Sequence, residues 1–168
     1  PMVHWPESMA TYDITDKILF SNDAFGQHYA VEELFNDRAD QCLLWKESMK
    51  YFANILNPFA PILQKKLEEI SGLNLEFDII APSHGAIWRD NPLQIVERYA
   101  QWANAYQEDQ VSIIFDTMWE GTAKIAYNIA HKIHEQSPDT VVKVFNISKA
   151  DKNEVMTEVF KSKAIAVG

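Results

Sequence analysis

The sequence predicts an α/β protein built from two consecutive parts, and three observations carry this. After residue 110 the chain alternates apolar runs with helical periods: VSIIF (111–115), 123–134, VVKVFNI (141–147), 153–161 and AIAVG (164–168). Strands and helices alternating at this spacing are the pattern of βαβ units on a parallel, doubly wound sheet. Before residue 107 the order is irregular, with two short strand-like runs and three helices. The polar stretch 107–110 separates the two patterns and is read as a hinge between residues 1–107 and 108–168.

The elements follow in order. Residues 1–30 read as short and irregular, punctuated by Pro1, Pro6 and Gly26, with 17–21 as the best strand. From Asp40 to Leu56 apolar residues recur at helical spacing (Leu43, Leu44, Met49, Phe52, Ala53, Leu56). A second helix starts near Pro58 and stops at Gly72, with proline at its start and glycine past its end. Residues 77–81 form a strand that breaks at Pro82-Ser83-His84-Gly85. Asn91-Pro92 opens a third helix, with Ile95, Tyr99, Trp102 and Ala103 on its apolar face and Asp90 as its cap.

The totals bound the function. The 168 residues carry a net charge of −9, which argues against nucleic acid or an anionic membrane as main partner. No apolar run reaches the length of a bilayer span. The single cysteine, Cys42, leaves no intrachain disulfide or thiolate cluster, and a reducing cytoplasm fits. Cys42 itself is expected to be a small buried residue on its helix. The chain opens on Pro-Met-Val-His and closes on a strand-like run, so it is expected to be a piece of a longer one.

Ligands of doubly wound sheets bind beyond the carboxyl ends of the strands. Thr117, Met118, Trp119, Glu120, Gly121 and Thr122 fall there, after the first strand of the regular part. Two hydroxyls, a glycine and a helix N-terminus make a phosphate site. The loop matches neither the dinucleotide fingerprint nor the Walker sequence, and no lysine follows the glycine. An uncharged loop of this kind suits a flavin monophosphate, with Trp119 able to pack on the ring. In the alternative reading the two threonines merely cap a helix. Glu120 counts against phosphate unless its side chain points to solvent.

His4, Asp23 and His84 lie at strand or loop ends. Eighteen residues separate the first pair and sixty the second. Imidazole and carboxylate are good ligands for iron, zinc or manganese, and a metal would supply the positive charge that Asp23 lacks nearby in sequence. Spacing this long has no helical logic, and a lone loop histidine is most often a satisfied or solvent-facing residue. The residues alone therefore suggest metal without deciding it.

HWPESMATY, LFSNDAFGQH, PSHGAIWRDNP and FDTMWEGTAKIA together resemble the flavodiiron proteins, also called A-type flavoproteins, which include the flavorubredoxins. The resemblance covers essentially the whole chain, and both spacings match the family's His–x18–Asp–x60–His pattern. It implies the C-terminal half of a metallo-β-lactamase-like αββα sandwich followed by the first half of a flavodoxin-like sheet. It implies two non-haem iron ions and FMN, with His4 on one iron, His84 on the other, Asp23 bridging them and residues 117–122 on the FMN phosphate. No catalytic residue beyond the metal ligands is implied. The activity implied is reduction of dioxygen to water, nitric oxide to nitrous oxide, or both. Electrons would come from rubredoxin or a similar donor, and the intact protein would be a cytoplasmic homodimer or homotetramer. The family's His-x-Glu-x-Asp cluster and later flavin loops have no counterpart here, so the polypeptide alone is expected to be inactive and to leave sheet edges and apolar faces open.

Two other readings compete: a dinuclear zinc hydrolase of the metallo-β-lactamase fold fused to a flavodoxin, and an electron-transfer flavoprotein with a vestigial metal half. His28 is read either as a partner that orients a ligand or as an ordinary loop residue. His131 and His134 are read as surface residues, and Trp45, Trp88 and Trp102 as core. Trp5 either shapes a gas pocket or belongs to the core.

Overall fold

The computed structural model describes residues 3–168; the punctuation expected at Pro1 lies outside them. The chain divides into two compact units, Pro1–Ala105 and Tyr106–Gly168.

The first unit is built on a three-stranded sheet in the order β1-β2-β3, with β1 Thr11–Asp13, β2 Ile18–Asn22 and β3 Ile79–Pro82. β1 runs antiparallel to β2, whereas β2 and β3 are parallel, with Ile18 opposite Ile79 and Asn22 opposite Pro82. Parallel strands need a long crossover, and here it contains the helices α1 (Gln41–Tyr51) and α2 (Ala60–Gly72). α1 begins at Asp40, whose carboxylate accepts from the Leu43 N–H at 3.0 Å. It runs on through a wider π-type turn, Phe52–Leu56, and a 3-10 turn, Asn57–Phe59. Pro61 sits in the first turn of α2, where its missing N–H leaves no bond unmade. α3 (Leu93–Ala103) follows β3 and buries Ile95, Tyr99, Trp102 and Ala103, the face the spacing predicts.

The core of this unit is aromatic. Tyr99 lies 4.9 Å from Phe25, 5.2 Å from Phe52 and 5.7 Å from Trp102, ring centre to ring centre. Tilted and edge-on pairs at these distances add to the stabilisation from burial. Trp88 and Trp102 are buried as expected, and Trp45 is half-buried against Trp88.

The second unit is a βαβαβ module: β4 (Glu108–Phe115), α4 (Gly121–Gln136), β5 (Val141–Asn146), α5 (Lys152–Lys161) and β6 (Ser162–Val167). All three strands are parallel, in the order β5-β4-β6. Counted within the unit this is 2-1-3, the order with which a flavodoxin-like sheet begins. Ile113, Phe115 and Ala126 form its core, with Val111, Ile133, Val142 and Val144 packed around them. Asp151 caps α5 by accepting from the Asn153 and Glu154 N–H groups.

The structure corrects four sequence expectations. Residues 108–110 are not a hinge but the first three residues of β4. Their polarity misleads because Gln110 is buried with its amide satisfied: Nε2 lies 3.0 Å from the Glu158 carbonyl and 3.1 Å from Ser162 Oγ. β1 escapes notice because three residues carry no alternation to read. Asp90 does not cap α3; its carbonyl accepts from Asn36 Nδ2 and Gln94 Nε2 instead, and α3 starts from Pro92 with no side-chain cap. Cys42 is exposed rather than buried, because the buried face of α1 runs through Leu44, Ser48 and Tyr51. Large apolar side chains do stand open to solvent, among them Ile14, Phe20, Ile165 and Val167.

Since Phe52 is fully buried at the centre of the aromatic cluster, Phe52→Ala is expected to destabilise the first unit by about 3–5 kcal/mol, read as a lower urea midpoint.

Candidate metal centre

The site starts from the parallel ladder. Because β2 and β3 run the same way and end level, the loops that leave them emerge side by side. The Ser83 N–H donates to the Asn22 carbonyl at 2.8 Å, carrying the pairing one residue past the strands. Asn22 and Phe25 have φ of 59° and 69°, left-handed values that bend the chain sharply on either side of Asp23. The turn is closed by Gly26 N–H to the Asp23 carbonyl at 3.1 Å and by Ser21 Oγ–H to the Ala24 carbonyl at 2.7 Å.

The three side chains singled out by sequence meet. His4 Nε2 lies 3.3 Å from Asp23 Oδ2, and His84 Nε2 lies 3.7 Å from Asp23 Oδ1. The side chains are 24%, 24% and 32% exposed for His4, Asp23 and His84, so the cluster is open on one side. Each imidazole therefore faces a different oxygen of one carboxylate. His84 Nδ1 lies 3.2 Å from the Gln27 carbonyl. A carbonyl only accepts, so Nδ1 carries a hydrogen. In the neutral ring Nε2 then presents a lone pair to a carboxylate oxygen, an arrangement that repels unless a proton or a metal cation lies between. Imidazole and carboxylate together have the donor chemistry of a cation site. Among the described residues no group of three or more His, Cys, Asp or Glu side chains is arranged to hold a metal ion.

Other residues complete the surroundings, and sequence spacing did not point to them. Gln27 is fully buried; its Nε2 donates to the Phe25 carbonyl at 2.8 Å and its Oε1 accepts from the Ala86 N–H at 2.8 Å. Trp88 Nε1 donates to the same Phe25 carbonyl at 2.9 Å. Asn36, also buried, accepts from the Arg89 and Asp90 N–H groups and donates to the Asp90 carbonyl. Tyr51, at the end of α1, stands 5.2 Å from the His84 ring. Burial pushes its hydroxyl well above the ordinary range, and the Asp23 charge adds to the rise. His28 is exposed, yet its ring is 4.9 Å from Tyr51 and 5.3 Å from His84. Trp5 is exposed, with its ring 5.9 Å from that of His4, so it is not core. His131 and His134 are exposed on α4, as read from the sequence.

In the second unit the loop between β4 and α4 lies beside the end of β6: the Asp116 N–H donates to the Gly168 carbonyl at 3.0 Å. This is the switch point, where the connections leave the sheet in opposite directions. No side chain caps α4, so Thr117 and Thr122 do not serve as caps and the first-turn N–H groups remain available to a ligand. A side-chain carbon at Gly121 would meet nothing within 4 Å, so the backbone there is open to approach. Glu120, at φ 61°, is exposed, as are Met118 and Trp119.

Residues 1–85 match the family model described as ODP family beta lactamase. The whole chain is 54% identical to the "Anaerobic nitric oxide reductase flavorubredoxin" of Salmonella typhi and to the protein of the same name from Escherichia coli O1:K1 / APEC. It covers 35% of each, so the chain spans about a third of the length of the curated relatives it matches. Among solved structures, rubredoxin oxygen:oxidoreductase from Desulfovibrio gigas superposes over all of this chain and 42% of its own, with TM-score 0.95 and 33% identity. The flavodiiron protein from Giardia intestinalis covers 99% of this chain and 40% of its own, with TM-score 0.89 and 31% identity.

Fold and sequence together define a metallo-β-lactamase-like part running into a flavodoxin-like one, the class that the flavodiiron proteins represent. The chain belongs to the family described as ODP family beta lactamase.

The backbone at Gly85 has φ +81°, and a side-chain carbon there would overlap Gln27 Oε1 and stand 2.7 Å from the Gln27 carbonyl oxygen. Gly85→Ala is therefore expected to lower stability by at least about 1–3 kcal/mol, measured by urea denaturation.

Proposed function

We propose that this chain contributes to a non-haem diiron reductase that converts nitric oxide to nitrous oxide, dioxygen to water, or both, with electrons delivered through FMN. The observation that carries the reading is the single carboxylate with an imidazole nitrogen on each of its oxygens. The names of the relatives, nitric oxide reductase in one case and oxygen oxidoreductase in another, support the same chemistry.

In this reading His4 and His84 would each hold an iron ion through Nε2, and Asp23 would be the carboxylate ligand they share. Bound iron and flavin supply the redox chemistry, up to four electrons held close together. The chain's own contribution is to hold the donors. Asp23 holds His4 Nε2 and His84 Nε2 beside its two carboxylate oxygens, at 3.3 and 3.7 Å. His84 is oriented through its Nδ1 by the Gln27 carbonyl. Tyr51 sets its ring beside His84 from the end of α1, with burial raising its hydroxyl further above the ordinary range. One imidazole and one carboxylate oxygen per iron are fewer donors than iron takes, so the chain by itself would bind metal weakly and turn over no gas.

The loop at residues 117–122 holds the FMN phosphate in this reading, through the uncapped N–H groups of α4 and the hydroxyls of Thr117 and Thr122. The electron donor is rubredoxin or a protein like it, and the working protein is a homodimer or homotetramer in the cytoplasm. Among the described residues no helix is long and apolar enough to cross a membrane.

The test places these 168 residues in the matching stretch of the Escherichia coli relative. The purified chimera is expected to contain iron and FMN and to consume nitric oxide, whereas Asp23→Ala loses iron and drops to background. A well-folded chimera that carries zinc and no iron would sink the reductase reading and favour a hydrolase. In the same chimera, Thr117→Val and Thr122→Val are each expected to weaken FMN binding about tenfold or more. That is the loss of a hydrogen bond to a charged group, about 1.5–3 kcal/mol, read by fluorescence titration of the apoprotein.

A further inference from the structure

We propose that Gln27 is a positioning residue for His84. It fixes the ring with Nδ1 protonated and Nε2 free, and it locks the loop bearing Asp23 to the loop bearing His84. The inference deepens the metal-centre reading and takes from it only the role of His84 as a ligand.

Gln27 acts with both its side chain and its backbone. The side chain is fully buried and spans the two loops: Nε2 donates to the Phe25 carbonyl at 2.8 Å, on the Asp23 side, and Oε1 accepts from the Ala86 N–H at 2.8 Å, on the His84 side. Its backbone carbonyl faces His84 Nδ1 at 3.2 Å. A carbonyl can only accept, so this contact selects one neutral tautomer and leaves the Nε2 lone pair toward Asp23 Oδ1 at 3.7 Å.

The two neighbouring glycines show how tightly the parts fit. A side-chain carbon on Gly26 would come within 2.6 Å of His84 Cε1 and 2.7 Å of Nδ1, so only glycine lets the ring lie against this turn. A side-chain carbon on Gly85 would run into Gln27 itself. The ring is therefore bracketed by Gly26, held at Nδ1 by Gln27, and backed by Tyr51 at 5.2 Å. Leucine at position 27 has similar bulk but makes neither amide bond. It leaves the Ala86 N–H buried without its partner, while the Phe25 carbonyl keeps Trp88 Nε1. The loop carrying the carbonyl is then free to shift away from the ring.

Long-range ¹H–¹⁵N correlation on the histidine-labelled chain, without metal, reads the tautomer of each imidazole. In the unmodified protein at pH 8, His84 is expected as the Nδ1–H form, against the Nε2–H preference of a free imidazole. Gln27→Leu is expected to return His84 toward that preference, with folding checked by circular dichroism. Gly26→Ala keeps the Gln27 side chain and presses on the His84 ring and its backbone carbonyl, so it is expected to have the same effect; it decides the matter if Gln27→Leu does not fold. Cobalt(II) titration of the metal-free chimera with the Escherichia coli relative gives a second readout, with affinity expected to fall about 10–100-fold in either variant. A His84 ring without a hydrogen on Nδ1 in the unmodified chain overturns the proposal, as does an unchanged tautomer in a folded Gln27→Leu. If the unmodified chimera with the Escherichia coli relative holds no cobalt while His84 still carries its hydrogen on Nδ1, the metal reading fails and the positioning by Gln27 stands.

Discussion

The parallel pairing of β2 with β3 is the constraint from which the site follows. Two strands that run the same way and end level must release their loops at the same edge. Asp23 leaves one strand and His84 the other, so sixty intervening residues impose no separation between them. Those residues supply the crossover that parallel pairing demands, and its helices bury one wall of the same unit. An antiparallel β2–β3 pair would have put the two residues at opposite ends of the sheet.

Backbone pairing alone brings the loops together only approximately. Ligand geometry requires side chains held to within about half an ångström, and here buried polar groups supply that precision. Gln27, Asn36 and Trp88 each bond a backbone group across or within the loops, and all three are buried. A buried amide stabilises only when both its ends find partners. Gln27 meets this by donating at one end and accepting at the other. The left-handed residues Asn22 and Phe25 carry the strain of the tight turns, and Gly85 takes its positive φ without strain. Strain of this kind persists where neighbouring bonds hold the backbone in place.

The second unit applies the same rule in simpler form. β4 is central, with parallel neighbours on both sides, so its polar Gln110 and Ser112 must be satisfied internally, and they are. The loop that leaves β4 meets the end of β6 and opens directly into α4 without a cap. Asp23 and His84 in the first unit and residues 117–122 in the second stand just past the carboxyl ends of strands, where the sheet is rigid and the loop is free to carry chemistry.

Much of the architecture was legible without coordinates. Helical spacing marked α1 and α3, because a buried stripe must recur every three or four residues whatever it packs against, and proline and glycine at its ends marked α2. The βαβ rhythm gave a parallel sheet, because no other arrangement suits short strands joined by helices. What failed to show were features whose meaning lies in a distant partner. Gln110 looks like a hinge residue until Glu158 and Ser162 are brought beside it. The exposure of Cys42 depends on how α1 is rotated, which its neighbours in the chain do not state. Gln27 and Tyr51 carry no local pattern at all. His4, Asp23 and His84 were visible as residue types able to bind metal, since ligand chemistry belongs to the side chain itself. That one carboxylate faces an imidazole on each oxygen was decided by the tertiary structure alone, because it rests on strand pairing across sixty residues and on a glutamine that bridges two loops.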